Sequence, residues 1–506
     1  MDFQVEWIKN SVGICAHIDE YEEPIKIEMF KNLENQYNTF SEQERNKIKK
    51  IFDSQFENED LVYVFSIFVS YMDIKDINEY AIDLIIAGNY DALQSGMLEF
   101  EVIRFIPGCY EKKRLLHKKN IEQYESILNT DYKYLDVKNR NKNRIVIITE
   151  QILTTLHAPT RQVLNYAYAM QEFLGYEVLI FACPSDGIIL KDLWYDGQVI
   201  KNTPIFNDYK MEITYREATF SGYQIGMTKA CYKEYNMMLD IIHLFNPLFV
   251  FNLGVVNPIA DLAGRFTTLV AKAMSTLVPV SEAKYFLKVG ENSEVASYEI
   301  CKNQKQILIE KIPTLFEDTN NIITREELGL PDDKFIIAIV GNRLKEEVDS
   351  EFLSLIKKII DNSDLAYFVV IGMGDEIFTD EAFEGRIRSL GYCEDLIATY
   401  NTIDLYLNPK RQGGGHSSAM ALLKGVPVVT FANCDVAFNA GKQFEVSDYD
   451  EMLRDVCKHI SDKDYHDQKK QMAIEVGAFN TEEKLVNGVK NMLDKITQHI
   501  ICDTEE

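Results

Sequence analysis

Residues 404–431 read DLYLNPKRQGGGHSSAMALLKGVPVVTF, and this stretch decides the fold. An apolar strand runs from Asp404 to Asn408-Pro409, and a loop with three successive glycines, Gly413, Gly414 and Gly415, follows it. His416, Ser417 and Ser418 then open a helix, and Gly425 closes it ahead of a second strand, Val426–Phe431. Strand, glycine loop, helix, strand is one parallel β–α–β unit. Glycines let backbone N–H groups approach a ligand closely. Ser417 or Ser418 is a good N-cap, and the helix start behind it carries partial positive charge. That combination makes an anion site suited to a diphosphate, with His416 and the hydroxyls as added donors. A glycine-rich turn that binds nothing is the plainer alternative.

Working outward, the same texture extends in both directions. FIIAIVG (335–341), a helix over 350–361 and a strand over 367–372 precede the loop. An earlier series opens with Ile145–Ile148, continues through a long amphipathic stretch to Glu177–Phe181, and adds candidate strands at Pro247–Leu253 and Thr276–Val280. Two consecutive α/β series predict two Rossmann-like, doubly wound domains facing a ligand cleft. Residues 1–140 are patterned as helices, as in Ile82, Ile86, Leu93 and Met97. Residues 132–144 read as a polar, basic linker, and residues 481–499 as a final helix. The expected organisation is therefore a helical region (1–140), an acceptor-side domain (141–325), a donor domain (326–480) and a C-terminal helix and tail (481–506).

Bulk properties narrow the function. The chain has 506 residues, 46% of them hydrophobic and 26% charged, which is enough to bury several cores. A formal net charge of −26 argues against a nucleic-acid partner and against docking on anionic lipid. The most apolar run, LVYVFSIFVSYM (61–72), is about half the length needed to span a bilayer and reads as a buried helix. The N-terminus has no basic, apolar leader, so a cytoplasmic location is expected. Nine scattered cysteines without a CxxC pair read as reduced thiols.

The loop at 413–420 resembles the donor-binding loop of glycosyltransferases with the GT-B fold. Gly-His-Ser-Ser-Ala-Met (415–420), then Gly-Val-Pro-Val-Val (425–429), is similar to the Gly-His-Thr-Thr-x-Met and Gly-Thr-Pro-x-Val pattern of the O-GlcNAc transferase family. The spacing here is one residue shorter. It is also similar to the family four transferases, whose two loop glutamates, eight positions apart, contact the donor sugar and the ribose. Those positions fall on Gln412 and Met420, so both acids are replaced. Gly391-Tyr392-Cys393-Glu394-Asp395-Leu396 looks like the Gly-Tyr-Val-x-Asp-Leu segment that holds the base. Gly341-Asn342-Arg343-Leu344 resembles the Gly-Arg-Leu element, where an Arg and a nearby Lys neutralise the leaving diphosphate.

The resemblance implies a nucleotide-sugar donor, best a UDP-sugar, with no metal and no cofactor. It places Arg343, Lys345, Gly414, Gly415, His416, Ser417 and Ser418 on the diphosphate, and Gln412, Tyr392 and Cys393 on the sugar and nucleoside. On the acceptor side, the first β–α loop holds Glu150, His157, Pro159 and Arg161. His157 just before a helix is the candidate general base. Asn257, in a second loop, either bonds a sugar hydroxyl or simply caps a turn before Pro258.

Three readings stay open. The first is an active glycosyltransferase with a protein or glycan acceptor. The second is a non-catalytic GT-B subunit that binds an acceptor or stabilises a partner glycosyltransferase; under any reading the partner expected is another glycosyltransferase or a second copy of the chain. The third is another GT-B enzyme such as a sugar-nucleotide epimerase.

Overall fold

The computed structural model describes residues 3–155, 157–183, 210–224, 232–274, 278–290, 303–317, 321–373, 377–378, 381–411 and 413–505. The chain divides into two compact units, Met1–Ile312 with Val486–Glu506, and Pro313–Leu485. The four-part organisation read from the sequence is finer than this division.

The first unit opens with seven helices: α1 (Phe3–Ala16), α2 (Glu23–Asn38), α3 (Glu42–Gln55), α4 (Asn58–Tyr71), α5 (Lys75–Ala87), α6 (Ala92–Phe105) and α7 (Tyr110–Ile127). Ser41 and Glu44 form a reciprocal capping box at the start of α3, and Asp91 and Gln94 repeat it at α6. The apolar run 61–72 is the buried helix expected, α4, with Phe65 and Phe68 packed edge-on to each other and to Phe52.

The α/β part of this unit contains β1 (Asn141–Thr149), α8 (Ala158–Tyr168), β2 (Glu177–Ala182), β3 (Lys210–Tyr215), β4 (Ala218–Gln224), α9 (Tyr232–Phe245), β5 (Pro247–Leu253), α10 (Pro258–Ala263), β6 (Leu269–Lys272), β7 (Tyr285–Val289) and β8 (Lys305–Ile309). The strands form one sheet in the order β3-β4-β2-β1-β5-β6-β7-β8, parallel except for the β3–β4 hairpin. The near-continuous apolar runs of β1 and β5 are what a sheet covered on both faces requires.

Two sequence expectations change. Residues 132–144 are not a free linker. Arg140 is buried and donates to the carbonyls of Leu135 and Leu248 and to the Thr268 hydroxyl, and β1 begins at Asn141. The strand placed at Thr276–Val280 falls partly outside the described residues, and its described part is not strand. Residues 278–280 are irregular, residues 275–277 lie outside the described residues, and the strand is Leu269–Lys272.

Helical region and sheet share a core in which Ala92, Ile121, Tyr124 and Leu128 pack with Val146, Val250 and Ile259. A buried polar joint pins them further. His117 on α7 lies between Glu99 of α6 (2.7 Å) and Asp261 of α10 (3.0 Å). Asp261 also accepts from the Ser281 hydroxyl and the Glu282 N–H, both at 2.7 Å. Burial opposes charge on the imidazole, but the two carboxylates outweigh it and hold His117 well above its ordinary value.

The second unit contains α11 (Arg325–Leu328), β9 (Phe335–Gly341), α12 (Leu344–Glu347), α13 (Ser350–Asn362), β10 (Ala366–Gly372), β11 (Ile387–Gly391), α14 (Leu396–Thr399), β12 (Leu405–Leu407), α15 (Gly415–Leu423), β13 (Val428–Phe431), α16 (Asp435–Ala440), β14 (Glu445–Val446), α17 (Tyr449–Ser461) and α18 (Lys463–Gly477). Its sheet runs β11-β10-β9-β12-β13-β14, with every neighbour parallel. Asp349 caps α13, whose Phe352, Leu355, Ile356 and Ile359 cover one sheet face. Met420, Ala421, Val436 and Ala473 cover the other. A last helix, α19 (Glu482–Glu505), carries the chain back into the first unit. There Asp503 meets Lys284, Lys305 and the Tyr285 hydroxyl at 2.7, 2.5 and 2.8 Å. Among the described residues no helix is long and apolar enough to cross a membrane.

Candidate functional site

In the second unit the C-terminal ends of β9 and β12 lie side by side, because Ile337 and Ala338 pair with Leu405 and Tyr406. Ligands of open parallel sheets bind at this edge. The β9 end delivers Gly341, Asn342 and Arg343, and the β12 end delivers Asn408 and the glycine loop.

A residue that the sequence reading passed over organises this corner. The Arg411 guanidinium is buried and donates to Asn408 Oδ1 (2.9 Å), the Val340 carbonyl (2.6 Å), the Tyr406 hydroxyl (3.0 Å) and Glu347 Oε2 (2.6 Å). Burial opposes its charge, and Tyr406 and Glu347 more than restore it. The glycines make room for it. A Cβ on Gly341 would lie 2.4 Å from Arg411 Nη1, and one on Gly414 would lie 2.7 Å from Nη2. Gly414 also has a φ of +93°, which favours glycine.

Glu347 holds a second guanidinium. Arg343 Nη2 is 2.9 Å from Glu347 Oε1, with the arginine side chain 50% exposed. A Cβ on Gly413 would stand 3.2 Å from Arg343 Nη2, so this arginine lies against the glycine loop. Arg343 and the loop are therefore brought together as the resemblance implies. Lys345, two residues along, is exposed.

Helix α15 starts earlier than expected. Gly414 is its N-cap, and Ser417 and Ser418 are already inside the helix. Neither serine caps it: their hydroxyls donate back to the carbonyls of Gly414 and Gly415, both at 2.9 Å. Ser418 is fully buried, whereas Ser417 is half-buried and also meets the Tyr406 hydroxyl at 3.0 Å. The donors this terminus offers are thus the first backbone N–H groups of α15, which no helical carbonyl can satisfy. His416 is half-buried with its ring edge-on to Phe316, 5.7 Å between centroids. Gln412 lies outside the described residues. Met420, at the other replaced acid position, is 8% exposed in the apolar core.

Tyr392 is largely exposed beside Gly391, whose φ is +63°. Cys393 is half-buried, and burial raises its thiol. Asp395 caps α14 through the Ala398 N–H at 3.0 Å, which fixes where this segment turns.

In the first unit the expected acceptor-side residues cluster around two loops at the C-terminal edge of the sheet. His157 is the N-cap residue of α8 but makes no capping bond; its Nδ1 meets the Thr160 hydroxyl at 3.0 Å. Burial pushes its imidazole down to about 4, so it is neutral at physiological pH and a weaker base than the near-neutral imidazole expected. Arg161 is turned inward and donates to the Thr155 carbonyl at 2.9 Å. Glu150 accepts from the Val255 N–H at 2.7 Å, and a Cβ on Gly254 would strike its carboxylate at 2.2 Å. Glu150 thus clips the first loop to the second. Asn257 is fully buried and caps α10 through the Ala260 N–H, while its amide donates to the Cys183 carbonyl. Both of its polar ends are in use, as the capping alternative requires.

No protein-family model matches the chain, and none of the curated proteins compared with it does. Among solved structures it is similar to a mutant of the Thermobaculum terrenum O-GlcNAc transferase, at 12% identity over 99% of both chains with a TM-score of 0.56. It is also similar to a glycosyltransferase from Rickettsia africae, at 14% identity over 71% of this chain and 99% of that one, with a TM-score of 0.49. The pneumococcal O-GlcNAc transferase GtfA, solved with UDP and GlcNAc, shares 9% identity over 70% of this chain and 99% of that one, with a TM-score of 0.47. The full-length match to the first of these shows the class of architecture. The chain has the α/β GT-B fold behind a helical N-terminal region.

Proposed function

We propose that the protein is a metal-independent glycosyltransferase that moves a sugar from a nucleoside-diphosphate donor, a UDP-sugar, to a hydroxyl of a protein or glycan acceptor. One observation carries the reading: Arg343 and the open N-terminus of α15 converge on the Gly413–Gly414 loop. As the sugar leaves, negative charge grows on the diphosphate. Fixed N–H dipoles and a guanidinium stabilise that charge with little reorganisation.

Glu347 makes the arrangement workable. When Arg343 turns from it to a phosphate, the carboxylate keeps its bond to Arg411 and no acid is left unpaired. Neutral His157 supplies the proton acceptor for the incoming hydroxyl. The similarity to the Thermobaculum terrenum O-GlcNAc transferase supports an N-acetylhexosamine as the sugar. The core position of Met420 favours one second reading, a GT-B subunit that binds without catalysis beside a partner glycosyltransferase.

The test is thermal unfolding of the whole protein with UDP, GDP, CDP and their sugars, without added metal. A ligand at 100 times its Kd stabilises the native state by about 2.7 kcal/mol. The reading expects a UDP-specific shift that Arg343→Ala abolishes, followed by turnover of the best donor sugar. No shift with any nucleotide would remove it, and binding without turnover would leave the subunit reading.

A further inference from the structure

The first sheet carries a buried ammonium that the donor chemistry does not use. Lys272 is the last residue of β6 and is 5% exposed. Its Nζ donates to the Ala273 carbonyl at 3.0 Å and stands 5.8 Å from the centre of the Tyr166 ring on α8. Among the described residues it has no carboxylate partner, and burial alone pushes it down to about 8.

Lys113 shows what a structural version looks like. It is equally buried and also pushed down to about 8, but it donates to the carbonyl of Ile106, the C-cap of α6. A cation belongs at the negative end of a helix. Lys272 has no helix end; it sits where parallel sheets bind ligands.

A second unmet group lies on the same sheet face, two strands away. Ile148 pairs with Asn252, and Leu253 pairs with Lys272, so Thr149, Leu253 and Lys272 stand level on three adjacent strands. Level residues of a parallel sheet share a face, and two strand spacings put Thr149 and Lys272 roughly 10 Å apart at Cα. Thr149 is 1% exposed, and among the described residues its hydroxyl has no hydrogen-bond partner. A buried ammonium without a carboxylate, on the same sheet face as a buried hydroxyl left unmet, is costly to hold, and an oxyanion between them would satisfy both.

We propose that Lys272 and Thr149 form an anion subsite on the α8 side of the first sheet, which takes a phosphate or carboxylate group of the acceptor. The word acceptor rests on the glycosyltransferase reading; the subsite itself does not. The ammonium has donors to spare beyond Ala273, the hydroxyl adds one more, and the Tyr166 ring walls one side.

The experiment measures melting temperature in an Arg343→Ala background, so that the donor loop does not answer the probes. Inorganic phosphate and acetate are compared with chloride at equal ionic strength, with and without Lys272→Met or Thr149→Val. The expected result is a rise with phosphate, acetate or both that Lys272→Met abolishes and Thr149→Val weakens. A response to phosphate alone identifies a phosphorylated acceptor, and one to acetate identifies a carboxylate-bearing acceptor. In chloride, Lys272→Met is expected to melt at or above the parent, because a buried unpaired charge has been removed. A lower melting point for Lys272→Met, no anion response, or a response that survives the substitution overturns the subsite. UDP binding is read separately in the Arg343 protein. Loss of that signal with the anion response intact sinks the donor reading only.

Discussion

Arg411 fills the space that Gly341 and Gly414 leave, and two different substitutions expose that dependence. Gly414→Ala must place a side chain at φ +93° and push Arg411 aside. It is expected to cost about 1–3 kcal/mol in urea unfolding and to weaken UDP binding. Arg411→Met leaves Glu347, 14% exposed, with only its half-exposed partner, and an expected cost of about 3 kcal/mol. Arg343→Met breaks the outer, solvated pair and is expected to cost less than about 1 kcal/mol while abolishing nucleotide binding. Equal stability losses in the two arginine variants would contradict this division. The glycine loop and Arg343 were legible because their chemistry is local: a turn, a helix start, a basic residue at a strand end. Arg411 was not, because its meaning comes from Val340 and Glu347, more than 60 residues away in the chain. The serines misled for the opposite reason. They are good caps by type, but a glycine able to adopt φ +93° ended the loop three residues sooner.

Elements were easier to read than their pairing. Thr268-Leu269-Val270 and Thr276-Leu277-Val278 are the same tripeptide; the first runs into β6, and of the second only Val278 is described, outside any strand. Pro279 follows the second copy and has no N–H to give to a ladder, which is the signal that could have separated them. The joint between α6, α7 and α10 was invisible, since Glu99, His117 and Asp261 come from three distant segments. It has a pH signature. Because the folded value of His117 is raised, its contribution is fully present below the unfolded value of about 6.5. It is then lost as pH rises through the folded value. The melting temperature of wild type is therefore expected to exceed that of His117→Gln most at pH 6, with the gap narrowing steadily into the alkaline range. A gap that widens with pH would mean that the imidazole is held neutral.

At the largest length, the second unit is one continuous segment with its own sheet and two apolar layers. Residues 313–485 expressed alone are expected to unfold cooperatively and to keep the Arg343-dependent UDP shift. The first unit differs, because it needs residues from both sides of that segment. Burial works against charge on Asp503, but Lys284, Lys305 and Tyr285 outweigh it and hold the carboxyl well below its ordinary range. That contribution is present above about pH 4 and lost as pH falls through the folded value. Asp503→Asn is expected to lower the melting temperature at pH 7 and to converge with wild type toward pH 2. Two α/β series were plain from strand composition. That the last helix returns to the first series was not, since amphipathic spacing in 482–505 says that a face is buried but not against what.

The return of α19 also sets an order of events on the ribosome. Residues 313–485 emerge as a complete unit while the earlier 312 residues still lack Asp503 and the rest of the final helix. A nascent chain of which residues 1–485 alone have cleared the ribosome should therefore present a finished second unit and a first unit whose β7–β8 margin is still open to proteases. Emergence of residues 486–506 closes that margin, so synthesis itself, rather than any slow search, times the completion of the first unit.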